Sequence, residues 1–339
     1  MEENTDKRVF LLSQMIHNQE VNEDLQQRGI KFIMDTDGTQ FISWEEIKSN
    51  DIVIIPAFGT TREIEHLLLD KGVDVQQYNT TCPFVEKVWN RAGKIAKEKF
   101  TTIIHGKPNH EETRATFSHS ASEGPAIIVR DIKDAKKLGA YITGDGDADN
   151  FQEEFALKFS VGFNPKKDLE KVGVVNQTTM LATETQAIAD YFKKLMITKY
   201  GIENIQDHFA DTKDTLCYAT NDNQDATYQL LETDADLAIV VGGYNSSNTS
   251  HIVELCERKF PTFFINSEKE MLDRNTIRHF NYHEKKMLTT PNFLPQKKPV
   301  KIILTSGASC PDTVVDRVME KILAQFKNTK TISELIRTL

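Results

Sequence analysis

Short apolar runs alternate along this chain with polar loops and amphipathic stretches. Residues 8–12 predict a strand, followed by the polar 13–18 and a helical stretch that runs through Leu25 and stops at Gly29. Residues 51–55 predict the next strand, then a loop over 56–61 and a helix around 64–69 that ends at Gly72. Residues 73–78 lead to Thr80, Thr81 and Cys82. Pro83 suits the first position of a helix over 84–98, where its missing N–H costs little. Further strands are predicted at 101–105, 171–176, 235–241 and 300–305. Polar loops follow them at 106–113, 177–179, 242–248 and 306–312, and helices are predicted over 183–194, 251–258 and 313–325.

This alternation argues for an α/β fold with parallel sheets. In such sheets ligands bind at the carboxyl ends of strands, beside helix N-termini. The residues with chemical potential cluster in those loops: His17, Phe58, Cys82, His110, Glu112, Thr178, Ser246, Asn248 and Ser309. Two stretches break the rhythm. Residues 141–168 contain Gly-Asp-Gly-Asp-Ala-Asp and a short helical piece near 151–159, and read as an insertion or domain edge. Residues 273–298 are polar and irregular, with Pro291 and Pro295 inside them.

Charge changes the picture only by exclusion. With 41 basic and 50 acidic residues the net charge is −9, which argues against a nucleic-acid partner. An anionic ligand must then be held locally, by backbone N–H groups, hydroxyls and histidines. No apolar run approaches the ~18 residues of a membrane helix. Residues 1–8 are charged, so no leader is expected, and the location is expected to be cytoplasmic. The four cysteines, Cys82, Cys217, Cys256 and Cys310, show no C-x-x-C spacing. In a reducing compartment their roles are packing, catalysis or ligation of a metal centre built from distant segments.

Gly242-Gly243-Tyr244-Asn245-Ser246-Ser247-Asn248 follows an apolar run and opens a helix, a design suited to phosphate oxygens, although Ser and Asn also serve as ordinary caps. Ser306-Gly307-Ala308-Ser309 repeats it. Neither a Walker loop nor a dinucleotide fingerprint occurs, so ATP and NAD sites lack support. His110 and Glu112 place a phosphate ligand beside a proton donor in one loop, or are simply solvated. Thr178 either binds a substrate alcohol or caps a helix. Cys82, at a predicted helix N-terminus before proline, favours thiolate and metal ligation, and Cys217 has similar hydroxyl neighbours; both could equally be packing thiols. Cys256 reads as packing, and Cys310 follows Ser309 in a functional-looking loop.

As an ordered set these segments resemble the 4-hydroxy-3-methylbut-2-enyl diphosphate reductase family. The matches are Met15-Ile16-His17-Asn18, Pro56-Ala57-Phe58-Gly59, Thr80-Thr81-Cys82-Pro83, His105-Gly106-Lys107 with His110-Glu111-Glu112-Thr113, Asn176-Gln177-Thr178-Thr179-Met180-Leu181, Leu216-Cys217-Tyr218-Ala219-Thr220, Asn245-Ser246-Ser247-Asn248 and Ser306-Gly307-Ala308-Ser309. They cover nearly the whole chain and look most like the plant and cyanobacterial branch. The resemblance implies three pseudo-symmetric α/β lobes, each a small, mainly parallel sheet flanked by helices, around a central cluster site. The lobe boundaries are expected at 1–81, 82–213 (with the insertion near 141–168) and 214–339. It implies a [4Fe–4S] cluster on Cys82 and Cys217, and reductive removal of an allylic hydroxyl to give isopentenyl and dimethylallyl diphosphate in the methylerythritol phosphate route. Glu112 would donate the proton with Thr178. His17, His110, Thr178, Thr220, Ser246, Ser247, Asn248 and Ser309 would hold the substrate, and a ferredoxin or flavodoxin would supply electrons. Phe58 stands where many members carry a further histidine. The family's first cluster cysteine, in a Gly-Phe-Cys motif, has no counterpart, which implies an N-terminally truncated chain that holds the cluster poorly. The competing expectation is a cluster-free phosphate-binding protein.

Overall fold

Extended apolar segments must share their backbone N–H and C=O groups with neighbours, and here they do so mostly side by side in parallel. The computed structural model describes residues 7–147, 149–212, 217–327 and 329. Its contacts divide the chain into two compact units: Met1–Ile16 with Glu20–Tyr218, and His17–Gln19 with Ala219–Leu339.

In the first unit, strands β1 (Val9–Leu11), β2 (Lys31–Phe32) and β3 (Ile52–Ile54) form a sheet in the order β2-β1-β3, all parallel. Helices α1 (Gln19–Gln27), α2 (Arg62–Asp70) and α3 (Pro83–Lys97) follow in turn. Phe10, Leu12, Ile33, Val53, Ile55 and Leu68 fill a core around this sheet. A second sheet, ordered β5-β4-β6-β7, contains β4 (Thr101–His105), β5 (Ala126–Val129), β6 (Val172–Asn176) and β7 (Phe209–Ala210), again parallel. Its helices are α4 (Glu111–Glu123), α5 (Ile132–Thr143) and α6 (Ala182–Tyr200). The strands β4, β5 and β6 are buried along their whole length, which is why their sequences show no regular alternation of apolar and polar positions.

In the second unit, α7 (Tyr218–Leu231) leads to β8 (Leu237–Val241), α8 (Ser247–Glu257) and β9 (Thr262–Ile265). A hairpin of β10 (Thr276–Asn281) and β11 (Lys286–Pro291) precedes β12 (Ile302–Ser306) and α9 (Asp312–Leu323). The parallel sheet runs β12-β8-β9. The observed class is therefore α/β with several small parallel sheets flanked by helices.

One expectation needs correction. Residues 273–298 are not irregular: the antiparallel hairpin occupies most of them, with Lys285 at positive φ in its turn. Its strands bury few side chains, so their alternation is polar on both faces and hides the period. Residues 73–78 form turns that end in a single bridge from Ile55 to Asn79. Within the stretch near 141–168, Phe151 packs on Phe155, Phe159 and Phe163 in an aromatic knot. Among the described residues no helix is long and apolar enough to cross a membrane.

Candidate functional site

Strand register brings the first group together. His105 at the end of β4 pairs with Asn176 at the end of β6, so the loops that leave these two strands start side by side. One loop ends at His110, which is the N-cap of α4. Its ring Nδ1 accepts the Glu112 backbone N–H at 3.2 Å. That bond fixes the neutral tautomer with the proton on Nε2. The other loop delivers Thr178. Its N–H donates to Glu112 Oε1 at 2.5 Å and its hydroxyl donates to Oε2 at 3.0 Å.

Glu112 is 1% exposed. Burial, the largest influence, pushes its carboxyl up to about 7; the two Thr178 bonds oppose the rise and the neighbouring Glu111 adds to it. The solvated reading of His110-Glu111-Glu112 is thus wrong. These residues open a helix and lie under cover, where Glu111 accepts a 2.6 Å bond from the Ser13 hydroxyl. Thr178 caps no helix, because the N-cap of α6 is Leu181.

The cysteine segments lie in the same unit. Cys82 is the N-cap of the 15-residue α3, makes no side-chain capping bond, and donates its backbone N–H to Ala57 O at 2.9 Å. The next residue, Phe58, sets its ring edge-on to the His110 ring, with centroids 5.6 Å apart. Phe84, in the first turn after Cys82, meets Tyr218 at 5.1 Å, and Tyr218 directly follows Cys217. Cys82 and Cys217 are both half-buried free thiols, and Leu216 lies outside the described residues. Among the described residues no three His, Cys, Asp or Glu side chains converge as a metal site.

The second unit carries the other group. Val241 at the end of β8 is in register with Ser306 of β12, so residues 242–248 and 307–310 leave neighbouring strands. Ser246 is the N-cap of α8 and accepts the Thr249 N–H at 3.3 Å. Ser246, Ser247, Asn248 and Thr249 are all buried, as are His17 and Thr220. The hydroxyls of Ser247 and Thr249 and both amide atoms of Asn248 have no hydrogen-bond partner among the described residues. Asn18 Nδ2 donates to Ser309 O at 3.5 Å, tying the His17 segment to the Ser309 loop.

Cys256 is a buried packing thiol, pushed up to about 12 by burial. Cys310 packs into a core with Val314 and Val318, and its thiol donates to Pro311 O.

Sequence reasoning missed two residues that organise these groups. Gln177 Oε1 accepts from the Lys107 N–H at 3.1 Å and from the Thr113 hydroxyl at 2.9 Å, while its Nε2 donates to Thr179 at 2.5 Å. A buried amide bridging two loops leaves no periodic signal; its only mark was its place beside Thr178. Thr249 was invisible because its neighbours are distant glycines.

Comparison with known proteins identifies relatives. The family model described as LytB protein matches residues 1–323. A 4-hydroxy-3-methylbut-2-enyl diphosphate reductase from Picosynechococcus is 41% identical over 320 residues, covering 94% of this chain and 77% of that protein. The same-named protein of Thermosynechococcus vestitus is 40% identical over 328 residues, covering 96% and 79%. Among solved structures, the E-1-hydroxy-2-methyl-but-2-enyl-4-diphosphate reductase of Plasmodium falciparum aligns with a TM-score of 0.64 at 23% identity, covering 94% of this chain and 80% of that one. A second solved reductase, described as the terminal enzyme of the non-mevalonate pathway, aligns with a TM-score of 0.52 at 23% identity, covering 95% and 90%. At that identity the two structures speak for the fold.

Proposed function

The chain belongs to the LytB family, and on that premise we propose that it removes the hydroxyl of 4-hydroxy-3-methylbut-2-enyl diphosphate to give isopentenyl and dimethylallyl diphosphate. The net change consumes two electrons and two protons and releases water. The observation that carries this reading is Glu112, a buried carboxyl with its pKa near neutrality and both oxygens on Thr178. An acid of that strength is about half protonated at neutral pH, so it both carries a proton and gives it up readily.

Protonated on Oε2, Glu112 donates to Thr178 Oγ1. The Thr178 hydroxyl hydrogen then turns outward to a substrate oxygen, so the proton leaves Glu112 through Thr178 as the hydroxyl departs. The Thr178 backbone N–H stays on Oε1 and steadies the carboxylate left behind. His110, with its proton on Nε2, offers a neutral donor to the diphosphate. We likewise assign diphosphate binding to His17, Thr220, Ser246, Ser247, Asn248 and Ser309. Phe58 replaces a possible phosphate contact by packing against the His110 ring.

Two half-buried thiols, one at a helix N-terminus and their flanking rings in contact, suit ligation of iron. Cys82 and Cys217 are therefore the residues that would hold a [4Fe–4S] cluster, which when bound supplies the electrons and a Lewis-acidic iron. The electrons come from a ferredoxin or flavodoxin, and the setting is the cytoplasm. We assign one lobe to each parallel sheet of the described residues, with boundaries at 1–81, 82–213 and 214–339.

The test is anaerobic purification and cluster reconstitution, iron and acid-labile sulfide analysis, and incubation with the substrate and a reduced viologen. The expected result is iron and sulfide below one cluster per chain, because only two thiolates of this chain hold it, with both isomeric diphosphates formed in proportion to the iron bound. An iron-loaded protein that leaves the substrate intact, or a colourless one that binds diphosphate and cannot be loaded, overturns the reading.

A further inference from the structure

Two glycine turns of the second unit close on one side chain. A Cβ placed on Gly242 would lie 2.6 Å from Thr249 Oγ1, and one placed on Gly307 would lie 2.0 Å from the same atom. Real Cβ contacts essentially never fall below 3.0 Å, so each position admits only hydrogen while Thr249 stays where it is. Gly242 opens the loop that carries Ser246, Ser247 and Asn248, and Gly307 opens the loop that carries Ser309. The register of Val241 with Ser306 places both loops at the same level of the sheet. Thr249 stands where they part. It is 0% exposed and its hydroxyl has no hydrogen-bond partner among the described residues.

A hydroxyl is the group that fits such a gap. A methyl in its place is larger and would force the loops apart, and bare hydrogen would leave a void. The cost of an unsatisfied hydroxyl is accepted here, which is what a spacer, rather than a hydrogen-bonding residue, would require. A third strand of the same web meets the loops: a Cβ on Gly243 would lie 2.0 Å from His17 O. We propose that Thr249 is a positioning residue for the diphosphate, a wedge whose side chain sets the spacing between the loop of Ser246, Ser247 and Asn248 and the loop of Ser309. This inference rests on the diphosphate reading of those residues.

The test is calorimetric titration of the protein with inorganic pyrophosphate, paired with thermal unfolding without ligand. Gly307→Ala presses a methyl onto Thr249 and is expected to weaken binding about tenfold or more. The pair Thr249→Ala with Gly307→Ala removes the clash, leaving only the Thr249 Cβ at 3.0 Å, and is expected to recover most of the affinity. Thr249→Val, which keeps the shape but enlarges the wedge, serves if Gly307→Ala does not fold, and is expected to bind about threefold or more weakly. A purely structural role would shift the melting temperature without the affinity following the clash and its relief. Wild-type affinity in folded Gly307→Ala or Thr249→Val, or no recovery in the folded double variant, overturns the proposal alone. Absence of pyrophosphate binding by the wild-type protein overturns the diphosphate reading and the proposal with it.

Discussion

In the first unit the buried carboxyl of Glu112 has a donor for each oxygen, whereas in the second Ser247, Asn248 and Thr249 bury four side-chain atoms with no hydrogen-bond partner among the described residues. Both regions stand at the carboxyl ends of parallel strands, so topology does not distinguish them. What differs is whether the polar groups are satisfied from within. A saturated corner fixes the affinity for a proton, because every bond to the carboxyl weights one protonation state against the other. An unsaturated shelf, in the proposed diphosphate role, leaves its donors free of internal bonds and accepts a loss of about 1–3 kcal/mol for each buried atom left unpaired. The proposed proton site is tuned by the fold, and the proposed anion site by what it withholds.

The comparison can be broken most severely at Glu112. Glu112→Gln keeps an acceptor for the Thr178 N–H but has no proton to give, and turnover is expected to fall about 10²- to 10⁴-fold in the reconstituted viologen assay with substrate uptake retained. The same group governs a pH dependence of stability. Its folded pKa of about 7 lies above the usual 4.5, so the folded protein binds this proton more tightly than the unfolded chain does. Its contribution is therefore most favourable below about 4.5, declines as pH rises toward 7, and is fully lost above that. At about 1.4 kcal/mol per unit this amounts to about 3 kcal/mol. Denaturant melts of wild type against Glu112→Gln between pH 5 and 8 should show the slope in the first and its loss in the second.

On the shelf, Asn248→Ala is expected to weaken pyrophosphate binding about 10- to 100-fold by calorimetry while barely moving the ligand-free melt. The finest test is one of sign. Thr178→Val removes a made bond and is expected to cost about 1 kcal/mol at pH 8, with the Glu112 carboxyl rising further. Ser247→Ala removes an unmade one and is expected to leave ligand-free stability unchanged or raise it by up to about 1 kcal/mol. If both variants destabilise equally, the two regions do not differ as described.

Much of this was legible in the chain. The strands at 101–105, 171–176 and 235–241 announced themselves by their apolar centres, Ile103-Ile104, Val174-Val175 and Leu237–Val241, because burial on both faces favours apolar residues without alternation. Cys82 before Pro83 marked a helix start that the structure places at Pro83. The hairpin at Thr276–Asn281 and Lys286–Pro291 was hidden because it buries little, and the start of α4 because its first turn, Glu111-Glu112-Thr113, is polar yet covered. Covering depends on neighbours from other segments, which periodicity does not encode.

The amino-acid order by itself determined the alternation of strands and helices, and hence the carboxyl-edge loops and helix starts at which His110, Glu112, Thr178, Ser246 and Asn248 sit. It did so because backbone hydrogen bonding and apolar burial act over a few residues at a time. Only the tertiary structure decided that Glu112 is buried on Thr178, 66 positions away, and that Thr249 is the atom-wide spacer between two glycine loops. Proton affinity and loop spacing depend on desolvation and contact distance, and those quantities exist only once distant segments have been brought together.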